Sequence, residues 1–226
     1  MYRNFFKRLL DFLLSLIALA VLSPILLILA VIGAIAMKGN PFFTQQRPGK
    51  DEKIFKLIKF RTMTCEKDAQ GNLLPDDVRL TGYGKFLRKT SLDELPELVN
   101  ILIGDMSIVG PRPQLVRDMT FMTAQQRRRH TVRPGLTGLA QVNGRNNITW
   151  ERKFEYDLQY IDSGITLIGD IKIIFQTVGK VLKSSDVVRE GTASDMDFGD
   201  WLISEGKIDQ ETYDKKQAEA KELLKL

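Results

Sequence analysis

FLLSLIALAVLSPILLILAVIGAIAM, residues 12–37, is a run of 26 residues without one charged side chain. A helix rises about 1.5 Å per residue and a bilayer core is about 30 Å thick, so the run is long enough to cross a membrane. Ala34-Ile35-Ala36 resembles a signal-peptidase site, but secretory apolar regions are about 7–15 residues long, and cleavage is not expected. Ser23-Pro24 sits at the middle, where proline removes a backbone donor and crowds the preceding turn, so a kink is expected there. Ser23 can offset the loss by bonding a carbonyl that the proline leaves free. Arg3, Lys7 and Arg8 precede the run, and Lys38, Arg47, Lys50, Lys53, Lys56, Lys59 and Arg61 follow it. Positive charge marks the cytoplasmic side of a membrane segment, and here it marks both ends. Two arrangements fit: a broken helix that enters one leaflet and leaves by the same face, or a kinked span carrying a cytoplasmic domain.

The whole chain has 226 residues, a net charge of +5 and 27% charged residues, which suits one domain with an appended segment. A single cysteine, Cys65, and a single histidine, His130, exclude a disulfide framework and a four-ligand Cys/His zinc site. They also argue against a Ser-His-Asp or Cys-His device, which would have to be built on His130. Chemistry here falls to carboxylates, arginines and lysines. A nucleic-acid binder is not expected, because much of the basic charge flanks the apolar run and no aromatic stacking platform is evident.

Beyond the run, Ile54 to Met63 mixes apolar and basic residues in near alternation and reads as a strand carrying Lys59 and Arg61. Residues 64–80 read as a surface loop. Ser91 and Glu94 have capping-box spacing, Leu95, Leu98, Val99 and Leu102 share a helical face, and Gly104 supplies a stop. Pro96 places the start of that helix close by, with Asp93 and Glu94 in its first turn. SIVGPRP, residues 107–113, is too turn-rich for a helix. Gln114 to His130 regains helical character, and Arg127-Arg128-Arg129-His130 reads as a solvated or lipid-facing basic surface. Residues 131–147 are held in turns around Arg133 and Arg145, and Trp150 to Ile161 is helical. Ile171, Ile174, Phe175, Val178 and Leu182 form an amphipathic face, suited equally to a core or to a bilayer surface. The tail from Ser184 is charged, with a helix over Gln210 to Leu226.

Asp93-Glu94 at a helix start has an ordinary explanation, since acids there satisfy orphan amides and complement the dipole. Arg88 and Lys89 just upstream, and Arg112, Arg133 and Arg145 in turns fixed by glycine and proline, favour a chemical role. Guanidinium groups on rigid loops suit a diphosphate. A carboxylate among them can act as a nucleophile or hold a divalent metal. A glycosidase dyad fits poorly, because adjacent helical residues point about 100° apart. Neither GxGxxG nor GxxxxGK[ST] occurs, so a Rossmann or P-loop nucleotide site is unsupported. A membrane-anchored, non-catalytic phosphate-binding module remains the alternative to an enzyme.

Four segments in order, RNFFKRLLDFLLSLIALAVLSPILLILA, FTQQRPGKDEKIFKLIKFRTM, SLDELPELVNILIGDMSIVGPRP and RPGLTGLAQVNGRN, resemble the monotopic bacterial phosphoglycosyl transferases. The likeness is greatest to small single-domain members of the kind that begins protein N-glycosylation in Campylobacter. It implies an α+β, mainly α fold: a re-entrant membrane helix broken at Ser23-Pro24 (1–38), a small cytoplasmic catalytic domain with interfacial amphipathic helices (39–190), and a charged tail (191–226). It implies transfer of a sugar 1-phosphate from a UDP-sugar to undecaprenyl phosphate, releasing UMP, at the cytoplasmic face of the bacterial inner membrane. The family likeness suggests UDP-N,N′-diacetylbacillosamine or a related N-acetylated sugar as donor. Asp93 matches the nucleophile and would lie beside Mg2+, and Glu94 is the other half of the family dyad. Arg88, Arg112 and Arg145 match positions expected to hold phosphate, with Lys59 and Asp157 as weaker matches. Partners implied are the UDP-sugar, the lipid phosphate and the phospholipid surface, with a homo-oligomer left open.

Overall fold

A computed structural model describes residues 2–144, 148–182 and 196–225. Helices dominate. Helix α1 covers Lys7–Ala36 and is followed by strands β1, Phe42–Pro48, and β2, Ile54–Phe60. Then come α2 (Asp76–Arg79), α3 (Gly82–Thr90), a 3-10 turn at Leu92–Glu94, α4 (Glu97–Ile103) and β3 (Ser107–Val109). Helices α5 (Val116–Phe121) and α6 (Ala124–Arg127) lead to a 3-10 turn at Arg128–Thr131, then β4 (Gly135–Thr137) and α7 (Leu139–Val142). The chain closes with α8 (Trp150–Asp162), α9 (Leu167–Leu182), α10 (Phe198–Ser204) and α11 (Gln210–Leu223). The sheets are small: β1 pairs antiparallel with β2, and β3 parallel with β4.

Helix α1 runs continuously through Pro24. Proline at 24 leaves the carbonyl of residue 20 without its helical donor, and Ser23 Oγ donates to Ala20 O at 2.8 Å, so the serine replaces the missing bond from the same turn. The helical assignment therefore does not stop at Ser23-Pro24, and the carbonyl freed there keeps a donor. The helix docks on the domain along its length. Near its start, Arg8 donates to the carbonyls of Ile101 and Leu102 at 2.6 and 2.7 Å, capping α4. The buried Asp11 carboxylate accepts from Ser107 Oγ at 2.7 Å and from Ile108 N–H at 3.0 Å. In the middle, Ala18, Leu19 and Leu22 pack on Phe55, Leu57, Leu98, Ile101 and Met106. Towards its end, Leu29, with Leu26 and Ala30, packs on Phe60 and Leu87, and Tyr83 OH donates to Leu29 O at 2.8 Å. The opposite face leaves Val21, Leu27, Ile28 and Ile35 exposed.

Several sequence expectations are refined. The strand predicted to begin at Ile54 does so but ends at Phe60, and the predicted helix over 114–130 is divided into α5, α6 and a 3-10 turn. Its basic cluster is a solvated surface only in its first half: Arg127 and Arg128 stay partly exposed and pair with Glu52 and Asp162, whereas Arg129 and His130 are buried. The reason is long-range, since Arg129 finds Asp157 and Arg127 finds Glu52. On α9, Ile171, Phe175 and Val178 face outward while Ile173 packs in the core. The tail folds back. Phe198 enters a cluster with Met122, Trp150 and Phe154, and its N–H donates to the buried Asp118 carboxylate at 2.9 Å.

Candidate active site

Five side chains named from the sequence lie close together, and close backbone approaches explain how. Asn100, buried on α4, accepts from Ile58 N–H at 3.0 Å and donates to Lys56 O at 2.8 Å. This stitches α4 to β2 and sets Lys59 over the start of α4. Gly84 lets α3 lie against the backbone of Thr62, where any Cβ would stand 1.9 Å from the Thr62 carbonyl oxygen. One turn later, Arg88 Nε donates to Thr62 Oγ1 at 3.1 Å. Gly110 and Gly135 cross so tightly that a Cβ on Gly135 would meet Gly110 N at 2.1 Å. That crossing fixes the Pro111-Arg112-Pro113 loop, and Gly135 N–H holds Pro111 O at 2.9 Å.

The expected capping box at Ser91 is not formed. Ser91 is left-handed, φ 55°, where α3 ends and the 3-10 turn begins, and its side chain caps nothing. Glu94 instead turns to two cations, accepting from Lys59 Nζ at 3.0 Å and from Arg112 Nη2 at 2.6 Å. Asp93 and Glu94 thus stand in a single turn ahead of α4, while Glu97 opens α4 itself and pairs with Lys59 at 3.0 Å. Gly104 ends α4 with φ 101°, as its position predicts.

The electrostatics divide the acids. Burial would raise Glu94, but Arg112 and Lys59 hold it well below the usual carboxylate range. Asp93 moves the other way, raised by burial and by the neighbouring Glu94 charge. Glu97 is pushed up to about 7, chiefly by burial, which the Lys59 pairing only partly offsets. Burial alone would lower Lys59, yet Glu94 and Glu97 leave it raised. Glu94 keeps Arg112 firmly charged, and that side chain remains 40% exposed. Among the described residues, no hydrogen bond reaches the Asp93 carboxylate. The pair therefore consists of one acid fixed by two cations and one with its oxygens available.

Asp157 lies behind this cluster. Its Oδ2 accepts from Arg129 Nε at 3.0 Å and Nη2 at 2.7 Å, and the same Nη2 donates to Arg112 O at 2.6 Å. Asp157 thus steadies the Arg112 backbone from within the core. Arg145 lies outside the described residues. Glu97, Asn100 and Arg129 were not singled out from sequence. Glu97 carries a readable signal, an acid three residues after Glu94 on the same helix start, whereas the partners of Asn100 and Arg129 are remote in sequence.

A profile described as "Bacterial sugar transferase" matches residues 2–184. The chain is 49% identical over 181 residues to "Uncharacterized sugar transferase EpsL" of Bacillus subtilis, covering 80% of this chain and 89% of that protein. It is 45% identical over 185 residues to the Klebsiella pneumoniae "UDP-glucose:undecaprenyl-phosphate glucose-1-phosphate transferase", covering 77% of this chain and 40% of that protein. It is 35% identical over 197 residues to the "UDP-galactose-lipid carrier transferase" of Erwinia amylovora, covering 80% and 41%. The chain thus spans about two fifths of the length of these last two relatives. The match runs through α1, the hairpin, the Asp93-Glu94 turn and the Arg112 loop, and the chain belongs to the bacterial sugar transferase family, as a phosphoglycosyl transferase.

Proposed function

We propose that the protein moves a sugar 1-phosphate from a UDP-sugar to undecaprenyl phosphate, with UMP released, as the first membrane step in building a glycoconjugate. The observation that carries this reading is the division of the acid pair: Glu94 is tied to Lys59 and Arg112, while Asp93 beside it accepts no hydrogen bond among the described residues. Asp93 Oδ attacks the sugar-bearing phosphorus. The phosphoanhydride bond to UMP breaks, and an aspartyl phosphosugar remains. An oxygen of the lipid phosphate then attacks the same phosphorus, the bond to Asp93 breaks, and the carboxylate is regenerated. Glu94 acts by holding Lys59 and Arg112 in place, and Arg112, Arg88 and Arg145 grip phosphoryl oxygens. Asp157 serves through Arg129, by fixing the loop of Arg112.

Among the described residues, no three acidic, histidine or cysteine groups form a protein-only cage. Mg2+ commonly takes one or two carboxylates and completes its shell with phosphate and water, a demand that the Asp93 carboxylate suits. When bound, Mg2+ would lessen charge repulsion between carboxylate and diphosphate.

For the membrane, a re-entrant α1 is favoured because its start, middle and end all pack on one domain, whereas a spanning helix carries one end about 30 Å away from the domain at the other. Its outward apolar face and that of α9 would then sit in the cytoplasmic leaflet of the inner membrane, at the depth of the lipid phosphate. In a Cys65→Ser background, cysteines at residue 3 and in α8 should be labelled from the same side of sealed vesicles; opposite sides would refute the arrangement.

The donor follows the family likeness, a UDP-linked N-acetylated sugar such as UDP-N,N′-diacetylbacillosamine. Because the relatives' names carry glucose and galactose, a donor panel must span both classes. The test is intact-protein mass after incubation with each UDP-sugar and Mg2+, without lipid. A gain of one phosphosugar, absent in Asp93→Asn, is expected. UMP release on adding undecaprenyl phosphate with no adduct under any condition would refute the covalent route.

A further inference from the structure

Pairing of β1 with β2 sets Phe43 opposite Lys59, Gln45 opposite Leu57 and Arg47 opposite Phe55. Opposed residues share a face, as do alternate residues along one strand. Gln45, Arg47 and Lys59 therefore stand on the same face of the hairpin, the face that turns Lys59 to Glu94 and Glu97.

Lys59 is committed to two carboxylates, but Arg47 is not. Among the described residues its guanidinium makes one hydrogen bond, Nη2 to Gln45 Oε1 at 2.7 Å, and no ion pair. Its Nε is sealed from solvent without a partner. The neighbouring acid Asp118 already accepts from Leu115 N–H at 3.0 Å with one oxygen and from Phe198 N–H at 2.9 Å with the other. Glu97 is taken by Lys59. Burial, followed by the charge of Arg112, lowers Arg47 to about 10, so the group stays charged at neutral pH in a setting that penalises the charge. A secluded guanidinium beside a second one, with no acid of its own, is completed by an anion from outside.

We propose that Arg47, oriented by Gln45, forms a phosphate subsite on the hairpin adjoining Arg112. It takes a phosphoryl oxygen of a substrate, either from the diphosphate of the nucleotide sugar or from the phosphate of the polyprenyl lipid. The assignment to substrate rests on the transferase reading above.

The test uses the full chain in detergent or nanodiscs, as wild type, Arg47→Met and Arg47→Lys, with thermal midpoints recorded for each. Binding of inorganic pyrophosphate, measured by calorimetry, should weaken about tenfold or more in Arg47→Met, and less in Arg47→Lys, which keeps the charge. Two half-reactions identify the source. If Arg47 holds the donor, phosphosugar adduct forms more slowly without acceptor and the KM for UDP-sugar rises. If it holds the lipid, the adduct forms at the wild-type rate and its discharge by undecaprenyl phosphate slows. Unchanged pyrophosphate affinity in Arg47→Met would overturn the subsite, as would a loss equal in both variants that tracks a fall in thermal midpoint. Failure of the wild type to form an adduct or release UMP would count against the transferase reading alone, because the pyrophosphate arm still decides the role of Arg47.

Discussion

Arg112 belongs to two charge clusters at once. Its backbone carbonyl is held by Arg129, which pairs with Asp157, while its side chain pairs with Glu94, the acid that also holds Lys59. The first cluster is matched, one cation to one anion, with Arg129 2% and Asp157 3% exposed. The second is not matched: its acids have divergent proton affinities, one has no hydrogen-bonded partner among the described residues, and Arg112 opens to solvent. A matched buried pair contributes position and leaves nothing over for a ligand. An unmatched group keeps donors and lone pairs for phosphate, at a cost that the matched pair and the surrounding packing offset.

The contrast breaks most sharply at Asp93. Asp93→Asn should lower turnover on the order of 10^4-fold or more while the denaturant midpoint in detergent stays at or above the wild-type value, because the carboxylate it removes is one that burial disfavours. A large drop in stability would mean that Asp93 belongs with the structural pair. Asp157→Asn is the mirror test, leaving Arg129 charged and buried; it should cost about 3–5 kcal/mol of stability, measured by denaturant titration, with lost activity following from displacement of Arg112.

Glu97 gives a smaller, pH-dependent effect. Its pKa is raised to about 7 in the folded state from the ordinary 4.5, chiefly by burial, so between those values the native state binds more protons than the unfolded chain. Stability from this group therefore falls as pH rises through the window. Glu97→Gln should gain on wild type across pH 4.5–7, and parallel melting curves for the two would refute it. His130 works in the opposite sense, lowered to about 4 by burial and by Arg129, so its contribution is lost as pH falls from about 6.5. The smallest effect belongs to Ser23→Ala, about 1 kcal/mol by denaturant titration, for the carbonyl that Pro24 leaves without its helical donor.

Local pattern made part of this legible. The apolar run, the strand from Ile54, the stop at Gly104 and the helices at Trp150 and Gln210 each carry their own periodicity or breaker, and all appear where the chain predicts them. Strands β3 and β4 have three residues each and exist because glycines allow backbones to cross, which no periodicity records. Ser91 has the spacing of a cap but is left-handed, since Glu94 does better with two cations than with a backbone amide. In the site, Asp93, Glu94, Lys59 and Arg112 were marked by family motifs. Asn100 and Arg129 depend on partners 44 and 28 residues away in sequence, and Arg47 becomes conspicuous only once its neighbours are seen to be occupied elsewhere.

The docking of α1 along its whole length has a practical consequence: the membrane segment is not a detachable tether. A fragment beginning after Ala36 would strip Arg8 from the end of α4, leave Ser107 without Asp11, and uncover the apolar faces of Leu57, Leu98 and Ile101. Water solubility is better sought by recoding the outward residues, Val21, Leu27, Ile28 and Ile35 among them, with the inward face left intact. In that sense the helix is the domain's own scaffold, with only its outward side left apolar and uncovered.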